Sequence, residues 1–190
     1  MKNVMVDIET VDTAASAIIL SVGAVGFDYK ATKEGEEYQI IDYDTLIYIN
    51  FDWNQLRTFN MDTLQWWLRQ DKEAVDVLFS EDYPQVNIVD GLNQFANWWK
   101  KYHKKANMWS HNFDKEILRN AFNQYNIKCP WHYRDEVDIR TLNYLYTEMT
   151  GKKECDVGKN DIPHSAIDDA IHQAKYVSAM IQEIAGRGTT

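Results

Sequence analysis

The chain has 190 residues and a net charge of −9, from 20 basic and 29 acidic side chains. That length predicts about one domain, expected to span residues 1–190. The acidic balance counts against a dedicated nucleic-acid-binding module, whose affinity rests on Lys and Arg facing phosphate. A composition that is 45% hydrophobic and 13% aromatic excludes a disordered acidic tail.

Met1 to Glu9 places acids where a secretory leader needs an apolar core. The longest apolar stretch, Ala14 to Phe27, is too short to span a bilayer. Cys129 and Cys155 form neither a C-x-x-C pair nor a disulfide framework, which suits a reducing compartment. The expectation is a cytoplasmic protein with no membrane partner.

In chain order, Val4 to Ile8 reads as a short apolar strand with acids at its end. The β-rich run Ile18 to Phe27 follows, then the polar interruption Lys30 to Glu37, then Tyr38 to Phe51. The polar piece reads as a hairpin connection, so the chain opens with three consecutive, mostly antiparallel strands. Beyond them the apolar period lengthens. Leu92, Phe95, Ala96, Trp99 and Tyr102 give one helical face, and Ile117, Leu118, Ala121, Phe122 and Tyr125 a second. Leu142, Leu145 and Tyr146 suggest a third, and Ile167, Ala170, Ile171, Ala174, Val177 and Ile181 form the last and strongest. Ala106 to Trp109 is a short strand between helices. A meander followed by alternating helices and strands implies an α/β layer with a mixed sheet.

The chemistry-bearing residues are acids. Asp7 and Glu9 lie two apart on a strand and so project from one face. Adjacent carboxylates stay ionised only beside solvent or a cation. Taken alone, such a pair is more often a solvated strand end, and Asp114 alone is an ordinary helix-start acid. His164, with Asp169 five residues on, changes the balance. Four carboxylates from three segments, with a loop histidine, supply the parts of a two-metal phosphoryl-transfer site. Ser165 and Asp168 read as an N-cap and its N3 acid, which leaves Asp169 for metal.

Asp-Ile-Glu-Thr at 7–10, Phe-Asp at 113–114 and His164 with Asp169, in this order, resemble the three motifs of the DEDDh, or DnaQ-like, 3′–5′ exonuclease superfamily. A histidine five before the last Asp selects the His branch. Thr63 to Gln70 resembles the T-x-x-W-W-x-x-Q helix of a subgroup that includes a phage exodeoxyribonuclease and a mycobacterial 3′–5′ exoribonuclease. Asp138-Ile139-Arg140-Thr141 matches the D-x-R-T segment of that subgroup. The segment before Phe113 departs from it in lacking a glycine.

The resemblance implies a ribonuclease H-like α/β fold, with a mixed five-stranded sheet flanked by helices. It implies a metal-dependent 3′–5′ exonuclease that releases nucleoside 5′-monophosphates from DNA or RNA. Asp7, Glu9, Asp114 and Asp169 would hold two Mg²⁺ or Mn²⁺ ions, which suit hard oxygen ligands. His164 would be the general base, since imidazoles titrate near neutral pH. Trp66, Trp67, Gln70 and Arg140 would contact substrate. Trp66 and Trp67 are adjacent and cannot share a helix face, so one is expected to pack and the other to stack. The expected partner is a nucleic acid 3′ end, and a homodimer is compatible with the resemblance.

Two alternatives remain at this stage: a ribonuclease H-like endonuclease and a catalytically silent nucleic-acid-binding module. His172 reads as a helix-surface histidine. The basic run Lys100 to Lys105 reads as charge at a helix C-terminus.

Overall fold

The structure is a computed structural model that describes residues 3–29, 40–52, 55–72, 75–76, 84–153, 155–158 and 164–187. The connection expected over Lys30 to Glu37 lies outside the described residues. Three strands open the fold: β1 (Asn3–Thr10), β2 (Ile19–Phe27) and β3 (Ile40–Ile49). They pair antiparallel in sequence order, as the apolar runs predict. The short helix α1 (Met61–Trp67) follows, then β4 (Gln85–Val86) and α2 (Ile88–Tyr102). β5 (Asn107–Ser110), α3 (Asn112–Gln124), β6 (Glu136–Asp138), α4 (Ile139–Thr150) and α5 (Ala166–Arg187) complete the described elements.

The sheet has six strands in the order β4-β3-β2-β1-β5-β6, rather than the expected five. The difference lies in its edges. β4 has two residues and β6 three, too few for any period-2 signal in the sequence. β4 pairs parallel to the end of β3, and β6 pairs parallel to β5.

β1 sits at the centre, antiparallel to β2 and parallel to β5, and is buried along its whole length. Its two faces carry different loads. Val4, Val6 and Ile8 pack with α2 and α3, around Leu92, Phe95, Trp99, Leu118 and Phe122. Met5 faces the other way and packs with Ile139, Tyr146, Ala170, Ala174 and Val177 of α4 and α5. The sheet is thus sandwiched between two helical layers. By the same alternation, Asp7 and Glu9 extend the Met5 face, the one α5 covers.

One glycine decides how closely α5 approaches. Gly23 of β2 stands opposite Asp7 in the ladder. A Cβ built there would fall inside the backbone of Ala166 and Ile167, at the start of α5. The first turn of α5 therefore rests on bare strand backbone, and Asp169 follows three residues after Ala166. A second tie is Arg57, buried beneath the segment that follows β1. Its guanidinium donates to the carbonyls of Ala15 and Ala17, to Asn120 Oδ1 and Gln124 Oε1, and to the Ile117 carbonyl. It joins the end of β1 to α3, the helix that carries Asp114.

Gly23→Ala forces the α5 backbone away from β2, an overpacking with no flexible atom to yield. The expected loss of stability is about 1–3 kcal/mol, read from denaturant melts, with activity falling further than stability. A variant with wild-type stability and rate would contradict this seat for α5.

Candidate active site

The C-terminal end of β1 delivers the first two acids. Asp7 and Glu9 are each 8% exposed, so both carboxylates are largely out of water. The β1–β2 register shifts between Glu9 and Thr10, an irregularity that re-aims the strand where it meets the site. Asp114 comes from the first turn of α3, whose N-cap is His111. Its carboxylate accepts a hydrogen bond from the His111 backbone N–H, the return half of a capping box. Its Oδ2 is buried with no hydrogen-bond partner among the described residues. Asp169 lies in the first turn of α5, and its Oδ2 accepts from the His164 backbone N–H at 3.1 Å.

These groups meet. Glu9, His164 and Asp169 offer ligand atoms within 4.8 Å of one another. The charges act on each other throughout. Burial pushes the Asp7 carboxyl up to about 8; the Asp169 charge adds to this, and a hydrogen bond from Gln173 opposes it. Burial holds Glu9 well above the usual carboxylate range, reinforced by Asp7, Asp169 and Asp114. Burial also raises Asp114, with Asp7 and Asp138 adding, while the His111 N–H and the Arg140 charge pull it down. Buried hard oxygen donors with an orphaned Asp114 Oδ2 and mutual repulsion are a donor set that a divalent cation fits.

His164 adopts φ 65, in the left-handed region that a residue with a Cβ seldom occupies. Its ring stands edge-on to Trp66 at 4.9 Å and to Trp67 at 5.9 Å. The tryptophans divide the work that the sequence left open between them. Trp67 is 1% exposed, donates from Nε1 to the Thr10 carbonyl at 2.8 Å and packs with Val11, Ile18 and Leu20. Trp66 is 41% exposed. With Ile8, Glu9, Thr10, Thr13 and Phe113 it lines an open groove of about 430 Å³. Trp67 also touches that groove but is held inside the core. Gln70 lies past the end of α1 and turns its amide back to the Trp66 carbonyl at 3.0 Å. Arg140 is exposed at the start of α4, with its guanidinium 6.0 Å from the Phe113 ring centre.

Two neighbours of the acids escape sequence reasoning. Gln173 donates from Nε2 to Asp7 Oδ1 at 2.8 Å. Its only sequence signal is its place four residues after Asp169, on the same face of α5. His111 precedes a motif residue by three but belongs to no motif. The basic run Lys100 to Lys105 follows α2 and precedes β5, at the sheet edge opposite the carboxylates. It has no place in this site. Among the described residues, no helix is long and apolar enough to cross a membrane.

Residues 2–181 match the family model described as a 3′–5′ exoribonuclease Rv2179c-like domain. The chain belongs to that family. Among solved structures it is similar to the nuclease domain of 3′hExo, a DEDDh family member bound to rAMP. The TM-score is 0.59 at 14% identity, over 95% of this chain and 91% of that one, a likeness of fold. No curated protein matches the sequence. The chain is a 3′–5′ exonuclease of the DEDDh group with nucleic acid as its substrate, and its ribonuclease H-like fold agrees.

The raised carboxyls fix the sign of a pH effect. Between the ordinary carboxylate range and about 8, the value to which Asp7 is pushed, the native state holds protons that the unfolded chain has released. Stability therefore falls as pH rises through that window. In EDTA, the melting temperature should drop from about pH 5 to about pH 8, and Asp7→Asn should flatten the drop. Mg²⁺ or Mn²⁺ should raise the melting temperature, most at the upper end. A metal-free melting temperature that climbs across the window would contradict the buried cluster.

Proposed function

We propose that this member of the Rv2179c-like family removes nucleotides one at a time from the 3′ end of RNA and releases nucleoside 5′-monophosphates. The convergence of Asp7, Glu9, Asp114 and Asp169 with His164 at the end of β1 carries this reading. The family description favours RNA over DNA. Glu9, Asp169 and Asp7 would hold one divalent ion, and Asp7 with Asp114 a second. Oxygen-only carboxylate donors suit Mg²⁺ or Mn²⁺. When bound, the ions would neutralise charge on the scissile phosphate and lower the pKa of the attacking water.

The chain's own residues do the rest. His164 takes the proton as the water oxygen bonds to phosphorus and the P–O3′ bond breaks. Its backbone is tied to Asp169 and its ring is braced by Trp66, so the imidazole stands beside the acids. Trp66 offers an exposed face for the 3′-terminal nucleobase, while Trp67 supports α1 from beneath. Arg140 supplies positive charge at the rim for the phosphate backbone. Gln70 steadies the end of α1 through the Trp66 carbonyl. Gln173 holds the orientation of Asp7.

The same proposal takes the chain as a single catalytic domain in the cytoplasm. It includes a homodimer, with the exposed Tyr144, Leu145 and Met149 of α4 as an apolar contact face. Sedimentation of the purified protein reads that state directly.

Matched 5′-labelled RNA and DNA oligonucleotides, digested with Mg²⁺ and with Mn²⁺, test the activity. Progressive shortening from the 3′ end, faster on RNA and lost in Asp7→Asn, is the expected result. Internal cuts would argue for an endonuclease instead.

His164→Ala should lower kcat by about 10²–10⁴, the range for a general base. The metal-induced rise in melting temperature should remain; its loss would make His164 a ligand. Trp66→Ala should weaken oligonucleotide binding by about 1–3 kcal/mol with an intact fold. Trp67→Ala should instead destabilise the protein by about 3–5 kcal/mol. Thermal melts run beside binding isotherms separate the two effects.

A further inference from the structure

A second cavity, of about 640 Å³, adjoins the carboxylates away from the Trp66 groove. His111, Ile139, Asp156, His172, Gln173 and Tyr176 are among its walls. It reaches the catalytic acids through two of them. Gln173 holds Asp7 through Nε2, and His111 caps the helix that carries Asp114. The groove, by contrast, contains Glu9, and His164 leans on its Trp66. The acids thus stand between two hollows, with Glu9 and His164 toward one and Asp7 and Asp114 toward the other.

We propose that this second cavity is the subsite for the penultimate ribonucleoside, the leaving group of each cycle. The proposal rests on the 3′–5′ exonuclease reading above. Phosphoryl transfer is in line, so the attacking water and the leaving O3′ lie on opposite sides of phosphorus. The base that takes the water's proton is His164, on the groove side. The P–O3′ bond therefore breaks toward Asp7 and Asp114, its electron pair stays on O3′, and that oxygen takes a proton from solvent. O3′ belongs to the penultimate ribose, and the cavity lies where that ribose emerges.

The chemistry of the walls fits the same ligand. Gln173 Oε1 and His111 Nδ1 are buried without hydrogen-bond partners among the described residues. An unpaired buried acceptor is costly, and a ligand hydroxyl relieves it. A ribose carries such hydroxyls. His172 and Tyr176 lie four apart on α5 and put two aromatic rings at the wall, which suits a nucleobase. Tyr176 is held by its hydroxyl to Asn143 Oδ1 at 2.9 Å, so its ring is set in place. The exposed Asp156 disfavours an anion, which selects the neutral nucleoside over its phosphate.

The test compares an oligoribonucleotide with the same strand carrying a propanediol spacer at the penultimate position. The spacer keeps the scissile phosphate and the terminal nucleotide but removes the leaving nucleoside. For the wild-type enzyme, kcat/KM for release of the first nucleotide should fall at least about tenfold on the spacer strand. His172→Trp fills the cavity and should slow the natural strand by a similar factor. The two losses should not add, because they remove one interaction. Equal rates on both strands, or losses that add in full, would overturn the subsite. Should His172→Trp fail to fold, the wild-type comparison decides alone. No 3′ shortening of the natural strand would sink the exonuclease reading itself, a different outcome from equal rates on both.

Discussion

The distance between the first turn of α5 and the bare backbone at Gly23 is the constraint on which the site depends. Gly23 faces Asp7 across the β1–β2 ladder, and Ala166 and Ile167 press against it. With that contact made, Asp169 has nowhere to go but beside Asp7 and Glu9. The two segments are separated by most of the chain, so no local preference could bring them together. Packing on the α5 face does so, through Ala170, Ala174 and Val177 against Met5 and Val25. Small residues along that helix let it lie close.

The closeness has an electrostatic cost. Burying like charges together raises all their pKa values and destabilises the metal-free native state at neutral pH. The opposing cores on the two sheet faces offset that cost. A structure that tolerates such repulsion without relief is unusual outside functional sites, where local rules are broken for chemistry. His164 breaks a second rule, with a left-handed backbone at a residue that carries a Cβ. Both departures occur within one cluster, and both are relieved or exploited when cations and substrate are present.

Much of this was legible in the sequence, for identifiable reasons. Asp7 and Glu9 sit two apart on a strand, and that period fixes their common face. The long apolar faces of α2, α3 and α5 have clear helical periods, so their existence and order follow from pattern. The motif residues gave the superfamily, and the family match agrees. What the sequence could not convey is approach and orientation. Gly23 looks like any strand glycine until α5 is seen lying on it. Gln173 and His111 gain meaning only from Asp7 and Asp114 as neighbours. Adjacent tryptophans point different ways, but only the Trp67 bond to the Thr10 carbonyl tells which one is inside. The two-residue strand β4 has no period to detect, which is why the sheet is wider than expected.

The central claim is that Asp7, Glu9, Asp114 and Asp169 form one shared cation site. Titration of Mn²⁺ into the protein, followed by electron paramagnetic resonance in the presence of a nucleoside 5′-monophosphate, tests it directly. The account predicts about two bound ions per chain, with Asp7→Asn losing both or leaving one weakly held. Unchanged Mn²⁺ stoichiometry and affinity in Asp7→Asn would contradict it.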